Sequence, residues 1–486
     1  MTNRTAVVII VVITLVAVSA TIYYAYLPNS GNIILPPSST NSSTNNNNNQ
    51  NSTGSGASKH VVYDYETDQH NITQVQIEVL AIIPEKQLNS SKFSGADLGQ
   101  RISQADQECG DVPCQINVDE VDSITTPIIL SDNRILTFKP GTYIVSAPIR
   151  LGNDNEVIGS GNSTIFVRDP KFFEGLGADE RAYPAANFNN IQDADMFNVV
   201  GKTNVILQNF QIDGSTTAIG YYLIEGQIPK PTGKMYEMPR GKQTEIRLTD
   251  SSNIAISKLN IREVQTHAVG GSGVSNLVIQ DCDFSSNGWN KYQLIWLGQA
   301  HNQNILIKNN LIHGSSHAGL YLEYTNNAVI EKNIFDHNRE NTFYTGPGAQ
   351  IGLQVHTYNI SIVNNTIINA GYTPANEVPK RNKPLLGHGI EVHGYNTTII
   401  DNVISDNAGF GITLKNNEDF VFVFPDEEIL PAHNILITSN TITGNGFAIG
   451  ADVPINEEPG IYDITLKDNI TDKKLSNDIS SSIPEN

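Results

Sequence analysis

The sequence predicts an all-β solenoid, in which short coils stack around one core. Three observations carry this. A seven-residue line bounded by Asn recurs: Asn304-Ile-Leu-Ile-Lys-Asn-Asn310, Asn327-Ala-Val-Ile-Glu-Lys-Asn333, Asn359-Ile-Ser-Ile-Val-Asn-Asn365, Asn396-Thr-Thr-Ile-Ile-Asp-Asn402 and Asn434-Ile-Leu-Ile-Thr-Ser-Asn440. The fourth place is always apolar, and so is the second except at Thr397; another apolar residue follows two places after the closing Asn, at Ile312, Phe335, Ile367, Ile404 and Ile442. The unit repeats every 23 to 38 residues, the interval of a repeat architecture.

Period-two alternation predicts strands. One such strand cannot bury its apolar row alone, whereas stacked copies bury a continuous core. Asn is disfavoured inside strands and tolerates left-handed backbone, so the closing Asn is expected at a tight bend, where stacked side chains can hydrogen-bond along a column. Further lines start at Asn204, Asn253 and Asn276, and one runs from Asp463 to Asn469. In the three early lines the closing place is apolar (Phe210, Leu259, Cys282), which confines the expected Asn column to the C-terminal part.

These Asn-bounded coils resemble the pectin-lyase-like superfamily, and the resemblance spans roughly residues 93–469. It implies a right-handed, single-stranded parallel β-helix. Ala96-Asp-Leu-Gly, Pro140-Gly-Thr-Tyr and Ile158-Gly-Ser-Gly are similar to the entry segment of members related to glycoside hydrolases and phage depolymerases. Leu386-Gly-His-Gly-Ile390 resembles the Gly-His-Gly segment of polygalacturonases, but the chain has no adjacent Asp-Asp pair. It also lacks the Asp-Pro-His motif of mannuronan epimerases. The resemblance transfers no catalytic residue, because one fold hosts many activities.

In chain order, residues 1–28 read as an anchor or signal segment. The run 6–27 has 22 residues, long enough at about 1.5 Å each to cross a bilayer core of about 30 Å. Arg4 precedes it and no Lys or Arg follows before Lys59, so the C-terminal part is expected outside. An uncleaved cell-surface anchor is favoured, and Val18-Ser19-Ala20 supplies the alternative, cleavage after Ala20 and secretion. Residues 29–58, rich in Asn, Ser and Thr, form a linker with too little apolar content for a core. Residues 59–92 form a strand-containing extension, 93–475 the β-helix and 476–486 a flexible tail. Leu98, Ile102 and Ala105 fall on one face of a helix expected to cap the open end. Asn-x-Ser/Thr acceptors at Asn162, Asn359 and Asn396, among others, permit glycosylation. Of three Cys, Cys109 and Cys114 are close enough to pair outside the cell, and Cys282 is expected as buried filler. The net charge of -20 excludes a nucleic-acid partner, which needs an excess of Lys and Arg.

A third strand precedes each Asn line. Alternation places Ile246/Leu248, Ile295/Leu297, Leu320/Leu322, Leu353/Val355, Ile390/Val392 and Ile412/Leu414 inward. Two outward columns follow: Arg247, Trp296, Tyr321, Gln354, Glu391, Thr413, and Thr249, Gly298, Glu323, His356, His393, Lys415. Coils lie about 4.8 Å apart, which makes Glu323, His356 and His393 successive rungs. Carboxylates beside imidazoles are acid–base chemistry, and the flat faces of Trp296 and Tyr321 suit sugar rings.

The segments leading into these strands carry nine basic residues, among them Lys380, Arg381 and Lys383, against four acidic ones. They are read as a wall for an anionic polysaccharide. Asp426-Glu-Glu428 is the candidate Ca2+ site; no other cofactor is expected. His313, His317 and His337 are read as structural residues of bends. Two readings stay open. One is an enzyme on polysaccharide, by elimination (His356 or His393 as base, Tyr321 as proton donor) or by hydrolysis (Glu323 with Glu391), with Trp296, Gln354, Arg247 and the basic segments binding substrate. The other is a non-catalytic glycan-binding or cell-envelope protein.

Overall fold

The computed structural model describes residues 59–65, 75–169, 195–214, 244–264, 267–286, 293–315, 317–338, 348–371, 387–417, 430–451 and 461–473. The anchor, linker, tail, most of the inserted segments and the candidate Ca2+ site lie outside these residues. So do Lys380, Arg381 and Lys383. Among the described residues no helix is long and apolar enough to cross a membrane.

The chain winds into three parallel sheets of 13, 11 and 11 strands, each strand pairing with its counterpart one coil away. A coil runs from sheet I (Asn302–Lys308) through sheet II (Leu311–His313) to sheet III (Leu320–Leu322), and re-enters sheet I at Thr325–Glu331. The inward rows, such as Ile305, Ile307, Ile312, Leu320 and Leu322, fill one continuous core. Alternation produces this directly: in a strand every second side chain points to the same face.

The closing Asn residues form the expected column. Asn310, Asn333, Asn365, Asn402 and Asn440 each donate from Nδ2 to Oδ1 of the next, ending on Asn469, at 2.9–3.0 Å. Each Oδ1 also accepts the backbone N–H of the coil before, as in Asn333 N to Asn365 Oδ1 at 2.9 Å. Cys282 heads the column: its N–H donates to Asn310 Oδ1, and burial pushes its thiol up to about 12. One expectation needs correcting. The left-handed backbone falls on the residue before the closing Asn (Asn309, Lys332, Asn364, Asp401, Ser439) and on the opening Asn, not on the closing one. The closing side chain can then point inward to satisfy backbone groups. Replacing Asn365 by Ala removes the acceptor for the buried Asn333 N–H, an orphan worth about 1–3 kcal/mol, and breaks the column on both sides. The expected loss in urea unfolding is about 3 kcal/mol.

The helix Leu98–Cys109 packs on the first strands, and its Leu98, Ile102, Ala105 and Cys109 join the core. Asp97 caps it, accepting from Gln100 N at 2.9 Å, and ties it to the coil through Thr125 N at 2.8 Å. The buried Asp106–Arg134 pair, at 2.6 Å, adds a second tie. Cys109 and Cys114 are disulfide-bonded, Cα to Cα 5.8 Å. The extension has a role the sequence reading did not assign. Lys59–Tyr65 and Val75–Ala81 form an antiparallel hairpin. Val75, Ile77 and Val79 lie across the outer face of sheet I, on Ile206, Ala255, Val278, Leu306 and Val329. That outward column turns polar on the next rungs, at Ser361 and Thr398, where the hairpin ends.

Candidate functional site

Sheet III carries the site. Its outward column reads Asn198, Arg247, Gly270, Trp296, Tyr321, Gly352, Glu391, Thr413, Gly450. Two residues on in each coil, the second column reads Gly298, Glu323, Gln354, His393, Lys415. Two placements differ from the sequence reading. The coil His267–Ser272, with paired glycines and no clear alternation, inserts Gly270 between Arg247 and Trp296. In Gly348–Leu353 the inward pair is Ile351 and Leu353, not Leu353 and Val355. This two-residue slip brings Gln354, not His356, between Glu323 and His393. His356 stands beyond the strand with φ 55°, its ring stacked on Tyr324 at 5.0 Å.

Glu391 is the centre of a buried network. Its Oε1 accepts from Gln354 Nε2 at 3.0 Å and pairs with His393 Nε2 at 2.8 Å. His393 Nδ1 lies 2.7 Å from Asn417 Oδ1. The Asn417 amide is oriented by donating to the carbonyls of His393 and Leu430. Its Oδ1 therefore accepts, and His393 Nδ1–H donates. Burial pushes the Glu391 carboxyl up, but the His393 hydrogen bond and the charges of His393, Lys415 and His388 outweigh it and hold the group well below the usual carboxylate range. Its second oxygen, Oε2, is buried with no hydrogen-bond partner among the described residues.

Glu323 has the opposite environment. It folds over Gly298, where even a Cβ would meet its Oε2 at 2.2 Å. Burial pushes its carboxyl up to about 7, against the lowering effect of the Gln299 backbone N–H and the Trp296 indole. No cation is among the causes that shift it.

Trp296 and Tyr321 occupy neighbouring rungs and lean apart. Trp296 stacks on His267 of the coil before, at 5.4 Å and 20°. Tyr321 lies over Gly352 of the coil after; a Cβ there would meet its Cδ2 at 2.7 Å. Glu323 sits beside the Trp296 indole. His267, which the sequence reading did not single out, donates from Nδ1 to the Gln293 carbonyl at 2.7 Å, and burial pushes its imidazole down to about 3. It is a neutral ring that props the indole. Gln293 in turn bonds His317 at 3.1 Å. Arg247 is held by Asp195 at 3.1 Å, at the far end of the column from Glu391. Among the described residues no group of three His, Cys, Asp or Glu is placed to hold a metal.

The three wound sheets define a right-handed parallel β-helix. The family of right-handed beta helix regions matches residues 244–422. Among solved structures the chain is similar to a mannuronan C-5 epimerase A-module of Azotobacter vinelandii, at 14% identity over 80% of this chain and 98% of that one, with a TM-score of 0.45. It is similar to an exopolygalacturonase of Thermotoga maritima, at 12% identity over 80% and 88%, with a TM-score of 0.40. A surface adhesin of Streptococcus pneumoniae matches at 12% identity over 80% and 93%, with a TM-score of 0.40. No curated protein matches by sequence.

Proposed function

We propose that this chain is an extracytoplasmic, membrane-tethered or secreted protein that hydrolyses polysaccharide on sheet III, with Glu323 as general acid and Glu391 as general base. One observation carries the reading: two carboxylates stand on one face of one sheet, two rungs apart, in environments that raise the pKa of Glu323 and lower that of Glu391. Such a divergence assigns acid and base in carboxylate pairs. Two rungs and one alternate place separate their backbones by roughly 12 Å. Glu323 turns over Gly298, away from Glu391, so it must rotate about its side-chain bonds on binding substrate for the pair to approach the wider, about 6.5–9.5 Å gap of inverting hydrolases. Glu323 protonates the leaving oxygen while Glu391 takes a proton from the attacking water. The flat faces of Trp296 and Tyr321, on neighbouring rungs, bind a sugar ring.

Elimination is the weaker chemistry here. Both ring nitrogens of His393 are engaged, and His356 lies off the column. The apolar run 6–27 and the Cys109–Cys114 disulfide support export, since disulfides persist in oxidising compartments. A non-catalytic glycan binder is the second reading, favoured by the 4% exposure of Glu391. The test is the purified protein against a panel of neutral and anionic glycans, reading reducing ends and the ultraviolet absorbance of unsaturated uronates. Reducing ends alone are expected. Absorbance rising with them identifies a lyase, and silence on every glycan that binds identifies the binder.

A further inference from the structure

We propose that Thr413 and Glu391 hold the attacking water between them, which makes Thr413 a positioning residue of the site. This rests on the hydrolase reading above. Glu391 and Thr413 are register partners on adjacent strands, so their side chains leave the same face about 4.8 Å apart. Both are buried, at 4% and 1% exposure. Each carries one oxygen, Glu391 Oε2 and Thr413 Oγ1, with no hydrogen-bond partner among the described residues. Buried oxygens without a partner are costly, and two on adjacent rungs of one face are within reach of one bridging water.

The chemistry of the two atoms is complementary. Ionised Glu391 Oε2 only accepts, so the water donates one hydrogen to it. Thr413 Oγ1 donates to the water or accepts its second hydrogen. The surroundings fix both groups. Glu391 Oε1 is occupied by Gln354 and His393, so Oε2 is the oxygen left for a water. On the far side of Thr413 the next rung is Gly450, and the Phe410 ring lies over it. Phe410 stacks on Phe447 at 4.9 Å and lies against His388 at 5.5 Å, so this side of Thr413 is walled mainly by rings.

In the reaction the water oxygen bonds to the anomeric carbon as the bond from that carbon to the leaving oxygen breaks. The water's proton passes to Glu391 Oε2, and the Glu323 proton passes to the leaving oxygen. Both carboxyl groups then exchange protons with solvent, and no oxidant or further reactant is needed.

The experiment compares the full-length protein with T413V and T413S. Kinetics are read by reducing-end release, thermal melting is measured, and crystal structures of the parent and T413V are determined. Valine keeps the shape and removes the hydroxyl, so T413V should melt at or above the parent temperature. Its kcat is expected to fall about tenfold to a hundredfold, the cost of a misplaced reactant, with KM within twofold. T413S should recover most of the rate. The parent crystal should show an ordered water within hydrogen-bond distance of Thr413 Oγ1 and Glu391 Oε2, absent from T413V. Turnover of T413V equal to the parent's, or no water at that place, overturns the role of Thr413 and leaves the hydrolase reading standing. No reducing-end release by the parent on any glycan it binds overturns both.

Discussion

Glu323→Gln is expected to lower kcat by about 10²–10⁴-fold, the usual worth of a positioned general acid, with glycan affinity retained. The amide keeps the shape that lies over Gly298 and beside the Trp296 indole but has no proton to give. The pH profile supplies an independent check. Glu323 acts protonated, and its carboxyl titrates at about 7. The rate should therefore fall tenfold per pH unit above that value. On the acid side Glu391 stays ionised well below the usual range, so the rate should hold level into mildly acidic solution. Stability moves in a way activity alone would not reveal. The folded value of Glu323 lies above its ordinary 4.5, so folding is favoured by the protonated form. That contribution is complete below about 4.5 and is lost as pH rises through about 7. Glu323→Gln should match the parent's melting temperature at pH 4 and exceed it at pH 8. A variant with full turnover, or one equally destabilised at both pH values, would remove Glu323 from the acid's role.

The strands of sheets I and II were legible because their signal is redundant: Asn at both ends, alternating apolar places and a fixed offset to the next apolar residue. Sheet III lacks such markers, and its register had to be read from alternation alone. Gly348–Leu353 shows where that fails. Ile351, Leu353 and Val355 alternate without a break, so two frames fit equally well. The frame is decided by Gly352, because only a residue without Cβ accommodates the Tyr321 ring. His267–Ser272 escaped notice because consecutive glycines erase the alternation. Asn417 had no sequence signal as a site residue and matters only through a bond across coils; alternation placed Thr413 beside Glu391 in the outward column, but its residue type gave it no role. The hairpin's place was partly readable, since the lines opening at Asn204 to Asn327 carry an apolar residue at an outward place that the next two lines replace by Ser361 and Thr398.

Glu391 should be the residue whose loss is felt in both stability and turnover. Glu391→Ala leaves the His393 ring and the Lys415 ammonium without their buried counter-charge, and Gln354 without its acceptor. Breaking a buried pair from one side costs about 3–5 kcal/mol, read as a shift in the urea midpoint. Glu391→Gln is the discriminating variant. Its amide oxygen still accepts from His393 and Gln354, so it should fold with a smaller loss while turnover disappears with the base. The acid limb gives the sign. The folded pKa of Glu391 lies below its ordinary 4.5, so its contribution is fully present above about 4.5 and is lost as pH falls towards the depressed folded value. In Glu391→Gln that part of the acid-induced loss should vanish, giving a flatter stability profile below pH 4.5. If Glu391→Gln retains turnover with the parent's pH dependence, Glu391 only anchors His393 and the base must be sought elsewhere on sheet III. If the glutamine variant unfolds as readily as the alanine one, charge rather than shape holds the network, and only the stability half of the argument survives.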